Sequence, residues 1–423
     1  MKQTLLRNRG YITLMIAQLI SSIGDWLSIV AIITMVGLKW NATPIEVSLI
    51  ILCLAVPMAL FGPFAGTFAD RFNRKTLMVV SDLVRAGLVL MLIFATTIWM
   101  VYICLFGIGM FAALFIPAKN GKLKELVPDD QMKSAMSITS MIDSGTKVLG
   151  PLLSGLLVTA FGANPVFLID SATFILSAIL LLTLPASVFS NESTVETNGK
   201  AISFKEDFLQ GVSFMKGNRF LLVGLSILTI SLLILQLSDS QIIVLIRELT
   251  NASPDLFGIL VTGSGLGMFF SGWLLAKKTE YKPILLMLLG VCGMGVSFGL
   301  LAVFTGMDLS YSILWGPGLG LVAGFSAGIV FIPFQAAVQT DTPVHITGRV
   351  FGVINSATTT ATIIGPLLGG ILVTIFGVIP MFIATGSLLV MMSLVGLLFR
   401  SKIERRENDV SKGQQRTQGA ASS

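Results

Sequence analysis

Twelve apolar stretches, near 11–38, 45–69, 76–97, 99–118, 134–161, 164–184, 220–246, 255–276, 284–305, 311–334, 347–375 and 378–399, take up most of this chain. Each has the roughly 20 residues a helix needs to cross a hydrocarbon layer. In lipid only helices and closed barrels satisfy their own backbone polar groups. The expectation is an all-α membrane protein with twelve spanning helices. Composition agrees, since the chain is 54% hydrophobic and 12% charged, where a soluble domain carries about 25% charged residues.

The charges say which way the chain runs. Of the 28 Lys and Arg, an inside N-terminus puts Lys39 and Arg247 outside, Arg85 and Lys147 within spans, and the remaining 24 in or beside cytoplasmic segments. That bias is the positive-inside pattern and supports both the helix count and cytoplasmic termini. It also accounts for the net charge of +6, because no basic face with interleaved aromatics offers a nucleic-acid surface. Lys2, Arg7 and Arg9 precede an apolar run too long for a cleaved signal, so a retained first helix is expected. Cys53, Cys104 and Cys292 sit singly in apolar runs, and His345 is the only histidine, so neither a metal site nor a redox pair is expected.

The second half repeats the first. Val148-Leu-Gly-Pro-Leu-Leu-Ser-Gly-Leu-Leu-Val-Thr-Ala-Phe-Gly162 returns as Ile363-Ile-Gly-Pro-Leu-Leu-Gly-Gly-Ile-Leu-Val-Thr-Ile-Phe-Gly377, Phe115-Ile-Pro117 as Phe331-Ile-Pro333, and Asn41-Ala-Thr-Pro44 as Asn251-Ala-Ser-Pro254. Six spans separate each pair, so the halves share an orientation and the repeat is parallel, an arrangement that places a substrate site between the halves. The expected organisation is an N-terminal half over 1–186, a cytoplasmic linker over 187–218, a C-terminal half over 219–400 and a disordered polar tail over 401–423. Within the linker, Ser203 with Glu206 makes a capping box, and Phe204, Phe208, Val212 and Met215 share one face of an amphipathic helix suited to the inner leaflet.

Acids inside spans are costly and are functional candidates by default. Asp25 lies near the middle of span 1, and its repeat counterpart is Asp239 of span 7. Asp143 and Lys147 are spaced to pair on one face of span 5, either as a neutralised structural pair or as one that a proton or substrate opens. Asp170, near the start of span 6, is expected to be structural, and Asp82 and Arg85, close to the cytoplasmic end of span 3, to snorkel or pair with the neighbouring loop. Gly145, Gly150, Pro151 and Gly155 on span 5, with Gly365 and Pro366 on span 11, allow close helix approach and bending, as packing sites or as a pivot. Between spans 2 and 3, Gly66-Thr-Phe-Ala-Asp-Arg-Phe-Asn-Arg-Lys-Thr-Leu77 packs Asp70, Arg71, Arg74 and Lys75 into a short surface turn. That turn serves topology alone or topology and gating. The turn after span 8, from Ala276 to Lys282, keeps positive charge without the Asp-Arg pair, an asymmetry that favours a gate, with Asp70 meeting the start of span 11 near Gly348.

The Gly66–Leu77 stretch resembles the signature loop of the major facilitator superfamily, with Asn73 in place of its second glycine and able to take the same left-handed turn. Val148–Gly155 resembles the antiporter motif of its drug exporters. Gly24-Asp-Trp26, Phe115-Ile-Pro-Ala118, Leu126-Val-Pro128 and Phe167-Leu-Ile-Asp-Ser-Ala172 are similar to the branch of macrolide-efflux proteins and enterobactin exporters. The resemblance implies the major facilitator fold and a multi-pass bacterial inner-membrane protein that acts as a monomer and without a cofactor. It also implies a proton antiporter that exports amphipathic small molecules such as macrolide-like drugs by alternating access, with a siderophore or metabolite exporter or a lipid flippase as alternatives. Span 4, Tyr102–Met110, lacks the arginine of many proton-coupled exporters, which turns attention to Asp25 and to Asp143 with Lys147. No phosphate-binding loop and no clustered His, Asp or Glu point to an enzyme.

Overall fold

The computed structural model describes residues 5–128, 131–185, 204–250, 253, 255–277, 281–342 and 346–421. Its helices are α1 (Arg9–Thr34), α2 (Pro44–Arg71), α3 (Arg74–Ile93), α4 (Ile98–Leu126), α5 (Met132–Phe161), α6 (Ala163–Leu182), α7 (Phe204–Gly217), α8 (Arg219–Asp239), α9 (Ile242–Arg247), α10 (Leu256–Ala276), α11 (Pro283–Gly306), α12 (Ser312–Asp341), α13 (Thr347–Phe376) and α14 (Val378–Ala421). Eleven stretches among the described residues are long and apolar enough to cross a bilayer. In α5 the apolar stretch followed without interruption among the described residues is Leu149–Phe161, the side chains of 147 and 148 lying outside them. With α8 and α9 together forming span 7, the twelve expected spans are all present as helices.

Local chemistry sets the boundaries. Thr43 accepts the Glu46 amide while Glu46 accepts the Thr43 amide, a capping box with Pro44 at the first helical position of α2. The expected turn at 66–77 is shorter than the sequence suggested. Helix α2 runs through Arg71, so Asp70 and Arg71 lie in its last turn, and Asn73 caps α3 by accepting the Thr76 amide. Its φ of −61° is not left-handed, so Asn73 stands there as a cap, where asparagine is among the preferred residues. Span 7 is not continuous. It breaks at Ser240–Gln241, where the polar run Ser238-Asp-Ser-Gln241 offers the backbone competing partners.

The C-terminal part of linker helix α7 packs on the protein. Met215 is 2% exposed in a core with Leu221, Val350 and Val353, and Gly211 sits against the Arg349 carbonyl. Ser203 and the side chains of Phe204 and Phe208 lie outside the described residues. The α14 backbone runs as helix to Ala421, through a segment rich in the helix formers Lys, Arg, Glu and Gln.

The cores show how the halves meet. One cluster joins Leu27, Val36, Val47 and Val158 of the first half to Ile243, Leu256, Leu260 and Val373 of the second. The other two clusters stay within a half: Tyr11, Met78, Leu123 and Leu181 in the first, Met215, Met287, Phe334 and Val350 in the second. Among the described residues the apolar core is therefore continuous across the halves at one end of the bundle and divided at the other. Small residues make the closed end, where Gly155 lies on Gly258 and Thr262, Gly265 on Leu152, and Gly370 on Ser48 and Pro44. Toward the divided end, Met136, Met141 and Asp143 of α5 and Asn355, Ser356 and Thr359 of α13 are exposed. Polar side chains exposed along a span belong beside water rather than lipid, which marks an aqueous cleft between the halves. On the expected topology the closed end is the outer one. There, in the loop after α11, the Thr250 amide and hydroxyl donate to Asp308 and hold its carboxyl below the usual carboxylate range.

Candidate functional site

At the centre of the first half, one arginine is surrounded by three carboxylates. Helix α3 places Asp82 and Arg85 three residues apart on one face, and they form an ion pair with Asp82 fully buried and Arg85 3% exposed. Arg85 Nη1 also lies 3.6 Å from Asp25 Oδ1 of α1, whose side chain is 43% exposed. The guanidinium rests on two rings, 4.4 Å from the Phe174 centroid of α6 and 4.9 Å from that of Phe115 of α4. These contacts stabilise a cation away from water. Ser177 of α6 donates to Asp82 Oδ2 at 2.6 Å.

The third carboxylate is Asp170 of α6, fully buried, taking a hydrogen bond from Ser28 of α1 and one from Thr173 Oγ1 at 3.3 Å. Gly24 makes this approach possible, since a methyl group there would collide with the Asp170 carboxylate and the Thr173 hydroxyl. Asp170 thus lies against the backbone that carries Asp25. Next to it, Trp26 covers Gly150 of α5, where a Cβ would fall 2.7 Å from the Trp26 Cβ. Stretches far apart in the chain, Gly24-Asp-Trp26, Phe115 and the Asp170 segment, therefore converge on one buried cluster.

Asp82 and Arg85 do not pair with the cytoplasmic loop as expected. They are buried because α4 and α6 close over them, and helix association of this kind leaves no periodic signal in α3 alone. Asp143 lies apart from the cluster: Gln18 Nε2 donates to its Oδ1 at 2.6 Å, and buried Lys119 of α4 is in electrostatic reach. The side chain of Lys147 lies outside the described residues, as do those of Asp70 and Arg71, the position of His345 and the side-chain environment of Gly348. Asp239 ends α8, is exposed, and has no ion pair among the described residues. Gln18, Ser28, Lys119 and Ser177 are polar residues inside or beside spans that the search for acids passed over.

Two residues of the charged turn between α2 and α3 act within the first half. Arg74 bridges to Glu125 at 2.9 Å and donates to the Gly121 carbonyl, joining α3 to α4. Lys75 Nζ donates to the carbonyls of Leu182 and Leu184 at 2.6 and 2.7 Å. It caps the negative end of α6. Of the candidate pivot residues, Gly150, Gly155 and Gly365 sit in close helix contacts, Gly145 faces open space, and the Pro366 carbonyl accepts from Ser48 at 2.5 Å. A groove of about 530 Å³ at the closed end, lined by Thr34, Lys39, Thr159, Asn164 and Asp255 among others, contains none of the candidate acids.

The sequence profile of the Major Facilitator Superfamily matches residues 14–361. The chain belongs to the Major Facilitator Superfamily. Among its superfamily relatives is the uncharacterized MFS-type transporter YfiS of Bacillus subtilis, 38% identical over 422 residues, which cover 99% of this chain and all of the relative. Macrolide efflux protein A of Streptococcus pyogenes is 25% identical over 80% of this chain and 84% of its own length. Multidrug resistance protein MdtG of a Rahnella species is 24% identical over 77% of each. Among solved structures, a bacterial homolog of the human lysosomal transporter Spinster, inward-facing and unoccupied, superposes with a TM-score of 0.67 at 14% identity over 94% of this chain and 98% of that one. The nucleoside transporter NupG, as a D323A mutant, gives 0.65 at 12% identity over 92% and 99%. These structures share the superfamily fold with this chain, and the chain is a multi-pass membrane transporter of that superfamily.

Proposed function

We propose that this transporter is a proton-driven exporter of amphipathic small molecules, macrolide-like drugs among them, in a bacterial cytoplasmic membrane, working as a monomer by alternating access. The observation that carries the proposal is the Asp25–Arg85–Asp82 cluster with Asp170 against it. One guanidinium balances one carboxylate, which leaves two further carboxyl groups beside it, one buried in Asp170 and one partly exposed in Asp25, to take up or give up a proton. Asp25 is the member of the cluster whose side chain is partly exposed. Protonation of Asp25 releases its hold on Arg85, and deprotonation restores it, so the state of the cluster differs with and without the transported proton. Arg85 supplies from α3 the cation that span 4 lacks.

Export of amphipathic drugs is supported by the macrolide and multidrug efflux proteins among the relatives and by a cleft edged with Met136, Met141 and polar groups. Apolar walls with a few polar groups suit ligands of that kind. With the core divided at the end assigned inside, the conformation is inward-open, ready to load from the cytoplasm or inner leaflet. The test is accumulation of radiolabelled macrolide in an efflux-deficient host. Cells expressing the chain are expected to accumulate several-fold less drug, a difference that a protonophore or Asp25→Asn abolishes at equal expression. Protonophore-insensitive export, or full export by Asp25→Asn, would contradict the proposal.

A further inference from the structure

At the closed end a fully buried hydrogen-bonded clasp ties the two halves together, and the proton site plays no part in it. Gln241 sits at the break between α8 and α9 and is wholly buried. Its Nε2 donates across to the first half, to Ser48 Oγ at 2.8 Å and to the Pro44 carbonyl at 3.1 Å, and also meets Ser240 Oγ at 3.3 Å. Ser48, equally buried, passes the link on by donating to the Pro366 carbonyl of α13 at 2.5 Å. Gly370 and Gly369 let the backbones come together there, since side chains at those positions would strike Ser48 and the Leu237 carbonyl. The chain of contacts thus runs from the second half to the first and back.

We infer that Gln241 and Ser48 form the latch of the closed end, and that alternating access requires this latch to release. Three features of the site support a latch rather than ordinary packing. The bonds join the halves, which must separate at this end in the opposite state. The helix break at Ser240–Gln241 is what aims the amide at α2, because a continuous α8–α9 helix would rotate it elsewhere. Gln241 Oε1 has no partner among the described residues, so the closed state buries an unsatisfied acceptor that opening would hydrate. The clasp is therefore directional but not fully satisfied, as a contact that must both form and break requires.

The experiment measures the two ends of the molecule directly and needs no substrate. Cys53, Cys104 and Cys292 are replaced by alanine, and spin labels are placed on exposed sites of opposite halves. Asn164 and Ser310 report the closed end, and Lys124 and Thr340 the divided end. In detergent or nanodiscs, Gln241→Ala is expected to lengthen the Asn164–Ser310 distance and shorten the Lys124–Thr340 distance, raising the ratio of outward-open to inward-open molecules about tenfold, as expected for the loss of bonds of this kind. Ser48→Ala, a smaller change that keeps the helix intact, is expected to shift both pairs in the same directions by a smaller factor and stands in if Gln241→Ala is not monodisperse. Unchanged distances at both ends in the monodisperse variants would overturn the latch. Because neither drug nor proton gradient enters the measurement, its failure would leave the export proposal standing, and the reverse also holds.

Discussion

Arg85 shows how much a single residue can organise. Its guanidinium holds Asp82, approaches Asp25, and is sheltered by Phe115 and Phe174. Removing one partner of a buried pair leaves the other uncompensated, which typically costs about 3–5 kcal/mol. Arg85→Gln is therefore expected to lower thermal stability in detergent sharply, and adding Asp82→Asn should recover much of the loss. Equal melting temperatures for Arg85→Gln and the parent would contradict the pairing. At this scale the sequence showed the acids but not their meeting. Asp25 and Asp170 were visible as intramembrane carboxylates, and the resemblance drew attention to Gly24-Asp-Trp26, Phe115 and the Asp170 segment. That these converge on Arg85 depends on how α1, α3, α4 and α6 pack, which no local pattern encodes. Asp82 and Arg85 looked like end-of-helix residues because apolar run length alone does not say which helices will cover them.

Among the elements, the existence and order of the spans were legible, because the demand for about 20 apolar residues leaves little freedom, while several ends were not: α4 runs on to Leu126 and α12 to Asp341, past the apolar runs that ended at 118 and 334. Their interruptions were harder to read. The α8–α9 break follows from Ser238, Asp239, Ser240 and Gln241, polar residues that an apolar count tolerates but that a helix backbone does not need as partners. Linker helix α7 was expected from its capping and apolar face, but the surface that face covers, α13 near Val350 and Val353, belongs to tertiary packing. The glycines of α5 separate packing from motion. At Gly155 a methyl would press on the Gly258 carbonyl and on Thr262, whereas Gly145 meets nothing within 4 Å. Gly155→Ala is thus expected to destabilise by about 1–3 kcal/mol through overpacking, measured as a fall in melting temperature. Gly145→Ala should be neutral or slightly stabilising, because it removes backbone freedom from a helix interior. The reverse order would show that the α5–α10 contact does not carry the closed end.

For the whole molecule, the parallel repeat and the charge bias anticipated two matching halves, and the cores show how those halves share the work. A cluster common to both halves seals one end, while the other end is split into one core per half and opens on Asp143, Asn355 and Ser356. The acids are not divided symmetrically. The first half holds Asp25, Asp82 and Asp170 around Arg85, whereas Asp170 corresponds to Thr385 in the second half, which exchanges a hydrogen bond with Ser238 instead. On the proposed function, this asymmetry would place proton handling in the first half and leave the second to complete the cleft. The most direct measurement is substrate-driven proton movement in inverted membrane vesicles loaded with acridine orange and energised by respiration. If the chain exchanges drug for protons at the cluster, adding a macrolide should dequench the dye as protons leave the lumen, and Asp25→Asn, present at the same level, should show no response. Dequenching of equal size with Asp25→Asn would contradict the account.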